Sequence, residues 1–267
     1  MTTLALLFNL AQEDFNSQLS KESGRLQEWP ELAIVVATLH EGALMPMKFA
    51  IWGLFQAIYY MAEHSFTDGY IFLKWHGQRV GIVNFQLMQT GSLQAAGSLD
   101  SLNSTDIPGL NITDILSLNS TDVPDLNSTD IPGLEASDCR TVYKPGGEDL
   151  SQAGVYVSLA SAMAEMAQYG VRDHMPQIWQ YLADYRTAIW VKPEARTRPP
   201  SMGVGSGLNA AWSAANFITQ RQRYAEYTTS IFTDGQELLG RIVVSSDSTP
   251  PSLQGPSLAA LQGVATT

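Results

Sequence analysis

Four histidines, His40, His64, His76 and His174, are the side chains of this sequence that titrate near neutral pH without help from their surroundings. None stands in an HExxH arrangement or at helical spacing from another metal-binding side chain, so no metal site is expected. His40 is followed by Glu41 and His174 is preceded by Asp173, and neighbours in sequence point in different directions. His64 and His76 are different: a helix end packed over a hairpin tip brings them together, with Asp68 close by. The trio His64, Asp68 and His76 is therefore the candidate for acid-base catalysis, set against separate capping and surface roles.

A second stretch, SMGVGSGLNAAW, offers anion chemistry. Gly203, Gly205 and Gly207 lead into a helix, where backbone N–H groups and the helix dipole favour negative charge, and Arg196 and Arg198 lie just upstream. The spacing is not that of a dinucleotide fingerprint, and no Lys-Ser/Thr pair completes a P-loop, so no cofactor is expected. Ser206 lies between two of these glycines without the G-x-S-x-G spacing of a nucleophile elbow. A flexible lead into the helix is the competing reading.

The third feature is a tandem octapeptide repeat: LNSTDIPG, LNITDILS, LNSTDVPD, LNSTDIPG, starting at Leu102. Proline blocks a continuous helix and removes ladder donors, while Asn, Ser, Thr and Asp compete for their own backbone, so each unit reads as a chain of turns. Asn103, Asn111, Asn119 and Asn127 each head an Asn-x-Ser/Thr sequon, which makes them glycosylation sites if the protein is secreted. A repeat carries its sequon along when copied, so the four amount to little more than one observation.

The 267 residues, 45% of them hydrophobic, suffice for a sizeable core. The net charge of -11 is concentrated: residues 89–140 hold eight acidic side chains against Arg140 alone. The 15 Lys and Arg are scattered, which speaks against nucleic acid as a partner. The single cysteine, Cys139, forms neither an internal disulfide nor a thiolate metal site. The opening TLALLFNLAQEDF has no basic residue before its apolar part and makes a poor signal peptide, which favours an intracellular protein, with secretion as the alternative raised by the sequons. Residues 42–62 have the length of a membrane span but are interrupted by Pro46, Lys48 and Gln56, so they read as a core helix.

The flanks of the repeat read alike. The first has a helical stretch from Leu4, a strand at 30–38, a helix at 46–66 and two strands over 70–85 turning near His76 and Gly77. In the second, a helical stretch at 151–170 precedes a strand at 185–193, a helix at 208–226 and a hairpin over 227–244 turning at Asp234 and Gly235. Ala50 and Trp52 match Ala210 and Trp212 at one constant offset. The expectation is an α+β protein of two similar helix-strand-helix-strand-strand halves, packed as a pseudo-two-fold unit. Its divisions are 1–88, an acidic octapeptide linker at 89–140, 141–245, and a Ser/Pro/Gly-rich tail at 246–267. The helix at 46–62, apolar on nearly every side, is expected to be covered by more than one sheet face. Trp52 and Trp212 are expected at equivalent buried positions.

Two functions follow. One is a non-catalytic interaction or structural protein with a protein partner. The other is an enzyme or carrier for an apolar small molecule between the halves, lined by Trp52, Phe55, Tyr59 and Trp212.

Overall fold

The computed structural model describes residues 1–26, 29–40, 42–64, 69–87, 125–126, 139–194, 201–233 and 237–248. Helix α1 (Thr2–Leu10) is built from Leu, Ala and Phe, and the chain leaves it at Ala11. The helical stretch read onward from Leu4 stops there because Asp14 forms a turn of its own, its carboxylate accepting from Asn16 N–H at 2.9 Å. Two short strands follow, β1 (Gln18–Leu19) and β2 (Lys21–Leu26), then β3 (Trp29–Thr38) and β4 (Met45–Pro46). Pro46 caps helix α2 (Met47–Glu63), and a hairpin of β5 (Gly69–Trp75) and β6 (Gln78–Leu87) follows. Its two-residue turn, His76 and Gly77, lies at φ 49 and 80, the left-handed geometry that matches strand twist.

From the repeat, Asp125–Leu126 (β7) pairs in parallel with Arg25–Leu26 of β2, so the octad segment supplies two residues to the first sheet. The rest of the repeat, including Asn103, Asn111, Asn119 and Asn127, lies outside the described residues, as does the tail from 249 onward.

The second half opens with β8 (Cys139–Asp149) and α3 (Gln152–Met166), whose N-terminus is capped by Ser151, the hydroxyl accepting from Gly154 N–H at 2.9 Å. Then come β9 (Ile178–Leu182), a single 3₁₀ turn at Ala183–Tyr185, β10 (Thr187–Pro193), α4 (Val204–Arg221), β11 (Ala225–Thr233) and β12 (Leu238–Ser245). The turn expected at Asp234 and Gly235 lies outside the described residues, though β11 and β12 pair as a hairpin.

Mixed α+β architecture is what these elements make: among the described residues, four helices and three sheets, antiparallel apart from the β2–β7 pair. One sheet runs β5-β6-β3-β2-β7, another β8-β11-β12-β10-β9, and β1 pairs with β4 in a small third. In the order of the chain, β2, β3, β5 and β6 occupy the same relative places in the first sheet as β9, β10, β11 and β12 in the second. Helices α1 and α2 pack on the first sheet, α3 and α4 on the second, and the two helix layers meet, chiefly through α2 and α3. The molecule is thus layered sheet, helices, helices, sheet.

This layering places the burial. Apolar side chains of all four helices and of the inner faces of both sheets form one continuous core. The outer face of the first sheet carries a small cluster of its own, Val35, Ala37, Leu39 and Ile82 under Phe72. Helices α1 and α3 are covered on almost every side. Helix α2, expected to be covered by more than one sheet face, packs on β5 and β6 of the first sheet, on β1 and β4, and against α1 and α3, and keeps an edge in solvent at Gln56 and Tyr60. Its inner side sits tightly on the hairpin: a Cβ at Gly53 would lie 2.5 Å from a methyl of Leu73.

Candidate functional site

His64 and His76 do not meet. Phe49 at the start of α2 packs on Trp75 beside the hairpin tip, ring centroids 5.2 Å apart, which anchors His76 to the N-terminal end of the helix. His64 caps the other end, about 22 Å along the axis at 1.5 Å per residue. Each imidazole has local company instead. His64 stacks on Tyr60 with centroids 4.1 Å apart and has Nδ1 3.0 Å from the Tyr60 carbonyl; His76 contacts the Trp75 ring at 4.6 Å. Asp68 lies outside the described residues.

The glycine-rich stretch has a packing role that its sequence did not disclose. Helix α4 starts at Val204 rather than Leu208, so Gly205 and Gly207 stand in its first turn, after Gly203 as the N-cap. Val204 N–H donates to the Asp173 carbonyl at 3.0 Å and Gly205 N–H to the Val171 carbonyl at 2.9 Å, so these two donors are committed within the protein rather than open to an anion. A Cβ at Gly205 would lie 2.8 Å from a Val171 methyl, and one at Gly207 would lie 2.9 Å from the Met166 sulfur. Glycine there is a matter of close packing. Arg196 and Arg198 lie outside the described residues.

The same corner joins Ser201 to His174, with Oγ 2.6 Å from Nδ1, an arrangement no spacing rule pointed to. The neighbouring Asp173 carboxylate accepts from Gly170 N–H at 2.8 Å, so it is turned to the backbone rather than to the imidazole. Among the described residues, hydroxyl and base are in place without the third group that orients a catalytic histidine.

At the junction of the halves, Trp212 of α4 stacks on Phe8 of α1, centroids 5.5 Å apart and planes 15° from parallel. Their exposures, 1% and 0%, make this a filled contact rather than a ligand space. Trp52 is half-buried and packs edge-on to Phe55, so the two tryptophans are not equally covered as expected. Tyr59 reaches across to the 3₁₀ turn: its hydroxyl donates to the Asp184 carboxylate, and its ring meets Tyr185 edge-on at 5.4 Å. That hydrogen bond, with some burial and the charge of Asp184, pushes the Tyr59 phenol up to about 12.

A cavity of 340 Å³ lies elsewhere, between the C-terminal turn of α4 and the β8–β11 edge of the second sheet. Tyr143, Phe217, Ile218, Arg221, Arg223, Ala225 and Tyr227 line it. Tyr143 and Phe217 stack nearly parallel, 4.5 Å between centroids and 7° between planes. Gln222 takes a left-handed conformation, φ 49, that ends α4 and sets Arg221 and Arg223 on either side of the chain reversal. Sequence reasoning missed this cavity because β8 did not read as a strand, so nothing placed Tyr143 beside the end of α4.

Among the described residues no helix is long and apolar enough to cross a membrane, and no group of three or more His, Cys, Asp or Glu is placed to hold a metal ion. No protein-family model, no curated protein and no solved structure matches the chain.

Proposed function

We propose that this is a non-catalytic interaction protein built from a duplicated α+β unit, with a protein as its partner. Duplication is supported by the shared strand order of the two sheets and by helices at the same two places in each half. The Ala50/Trp52 and Ala210/Trp212 matches fall on α2 and α4, the corresponding helices.

The observation that carries the interaction reading is the solvent edge of α2. Leu44 before the helix is 61% exposed, Trp75 against Phe49 is 52% exposed, and Tyr60 is 51% exposed, with the half-buried Trp52 between the two ends. Residues 49, 52, 56 and 60 follow helical spacing, so they share one stripe. Trp and Tyr held rigidly at a surface are the side chains that anchor protein interfaces. The rival, an enzyme or carrier holding an apolar molecule between the halves, needs space where Phe8 and Trp212 are packed.

The test compares the full chain with a Tyr60→Glu, Trp75→Glu double variant, cross-linked in the native source. A partner held by the parent and lost by the variant, with unchanged thermal unfolding, supports the proposal. A partner retained equally by both overturns it, as does turnover that His64→Ala or His76→Ala abolishes without loss of fold.

A further inference from the structure

The 340 Å³ cavity beside α4 has a composition that core packing does not call for. Its walls are aromatic and aliphatic, yet two arginines stand on it, in a chain of net charge -11. Both are exposed, and among the described residues neither makes an ion pair; the Arg221 guanidinium lies over the Phe217 ring, 5.5 Å from its centroid. A second and independent feature is Tyr227. This side chain is 7% exposed and lines the cavity, and its hydroxyl is buried without a hydrogen-bond partner. The hydroxyl itself has almost no accessible surface, so it is the Tyr227 ring that faces the cavity. Burial first, and then the nearby Tyr143, push this phenol well above its ordinary value.

We propose that this cavity is a binding site for a flat, apolar organic anion. The body of such a ligand lies against the stacked Tyr143 and Phe217 rings and Ile218, and its charged group meets Arg221 and Arg223 at the mouth. The volume sits at the lower end of the range for small-molecule sites, about 300–1,000 Å³. Planar guanidinium groups suit carboxylate oxygens in particular, through paired hydrogen bonds. The site belongs to the second half alone, away from the aromatic edge of α2, so it stands independently of the protein-partner reading.

Calorimetric titration of the full chain with naphthoate, and with the isosteric but neutral naphthamide, tests this. Naphthoate is expected to bind saturably and naphthamide at least about tenfold more weakly, the loss associated with one charge-assisted hydrogen bond. An Arg221→Gln, Arg223→Gln double variant should abolish that preference, and both changes are at exposed positions that leave the fold intact. Equal binding of the two probes, absence of saturable naphthoate binding, or unchanged affinity in the double arginine variant overturns the proposal.

Discussion

Glu226 shows how much one side chain organises at the open edge of the second sheet. Its carboxylate accepts from both the backbone N–H and the hydroxyl of Ser246, at 2.8 and 2.6 Å, and so ties the end of β12 to β11. It lies against Gly147 of β8, where a Cβ would come within 1.7 Å of Oε2, and where φ of 62 already favours glycine. The two Ser246 bonds hold the carboxyl below its ordinary value, with partial burial opposing them. A depressed carboxylate pKa means stability fully present above the unfolded value, about 4.3 for glutamate, and lost as pH falls through the lower folded value. Glu226→Gln is therefore expected to lower stability at neutral pH by about 1 kcal/mol, the low end for a charge-assisted bond because the group is part-solvated. Denaturant unfolding of both proteins from neutral pH down to about pH 3 checks this: the difference should shrink as the parent carboxylate protonates. A difference independent of pH would separate the stability of the edge from the charge of Glu226.

Among the elements, helices α2 and α4, which hold the same place in the element order of the two sheets, are used differently. Both carry a tryptophan two residues after an alanine, but Trp212 is enclosed by the opposite half through Phe8, whereas Trp52 faces the margin of the helix layer. The amphipathic pattern of a helix specifies a buried side and leaves open which neighbour will cover its flanks. Trp212→Ala is accordingly expected to cost about 3–5 kcal/mol, the range for deleting a large buried aromatic. Trp52→Ala should cost about 1–2 kcal/mol, because much of its surface gains nothing from burial. Chemical denaturation of the two single variants measures both, and equal losses would contradict the unequal burial. The solvent edge that makes Trp52 cheaper to remove is the same edge that leaves Tyr60 and Trp75 exposed.

At the scale of the whole molecule, the halves share one core rather than holding two. Apolar residues of α1 and α2 and of α3 and α4 belong to a single cluster, and Tyr59 adds a hydrogen bond to Asp184 across the junction. A half alone would expose a helix layer that now lies against its counterpart, so the two are expected to unfold together. Replacing residues 90–123 and 127–138 with Gly/Ser chains of equal length, keeping Asp125 and Leu126 in place, should preserve a single transition, since connecting loops contribute only a slowly varying closure entropy. Calorimetry together with tryptophan fluorescence checks this. Two separated transitions would show that the repeat couples the halves, and the layered helix interface would then be too weak to do so.

Much of the order of elements is legible in the residues themselves, because it rests on local periodicity and turn chemistry. The strand at 30–38 emerges as β3 from Trp29, the turn at His76 and Gly77 stands where expected, and the helix read over 151–170 appears as α3. Strands β2, β8 and β9 were not read, since KESGRL, CRTVYKPGGED and IWQYL lack the clean alternation that marks a strand facing water on one side. Their pairing partners, not their own residues, hold them extended. The candidate sites depended even more on distance in space. Nothing in the spacing of His64 and His76 says which end of α2 the hairpin tip would reach, and nothing in SMGVGSGLN reveals that its first N–H groups would be taken by carbonyls of Val171 and Asp173. Tyr143 lies 84 residues before Tyr227 in the chain, and only the pairing of β8 with β11 brings both onto one cavity with Arg221 and Arg223. Local sequence can fix which way a side chain faces along a helix or strand; which side chains face one another is decided by the packing of layers.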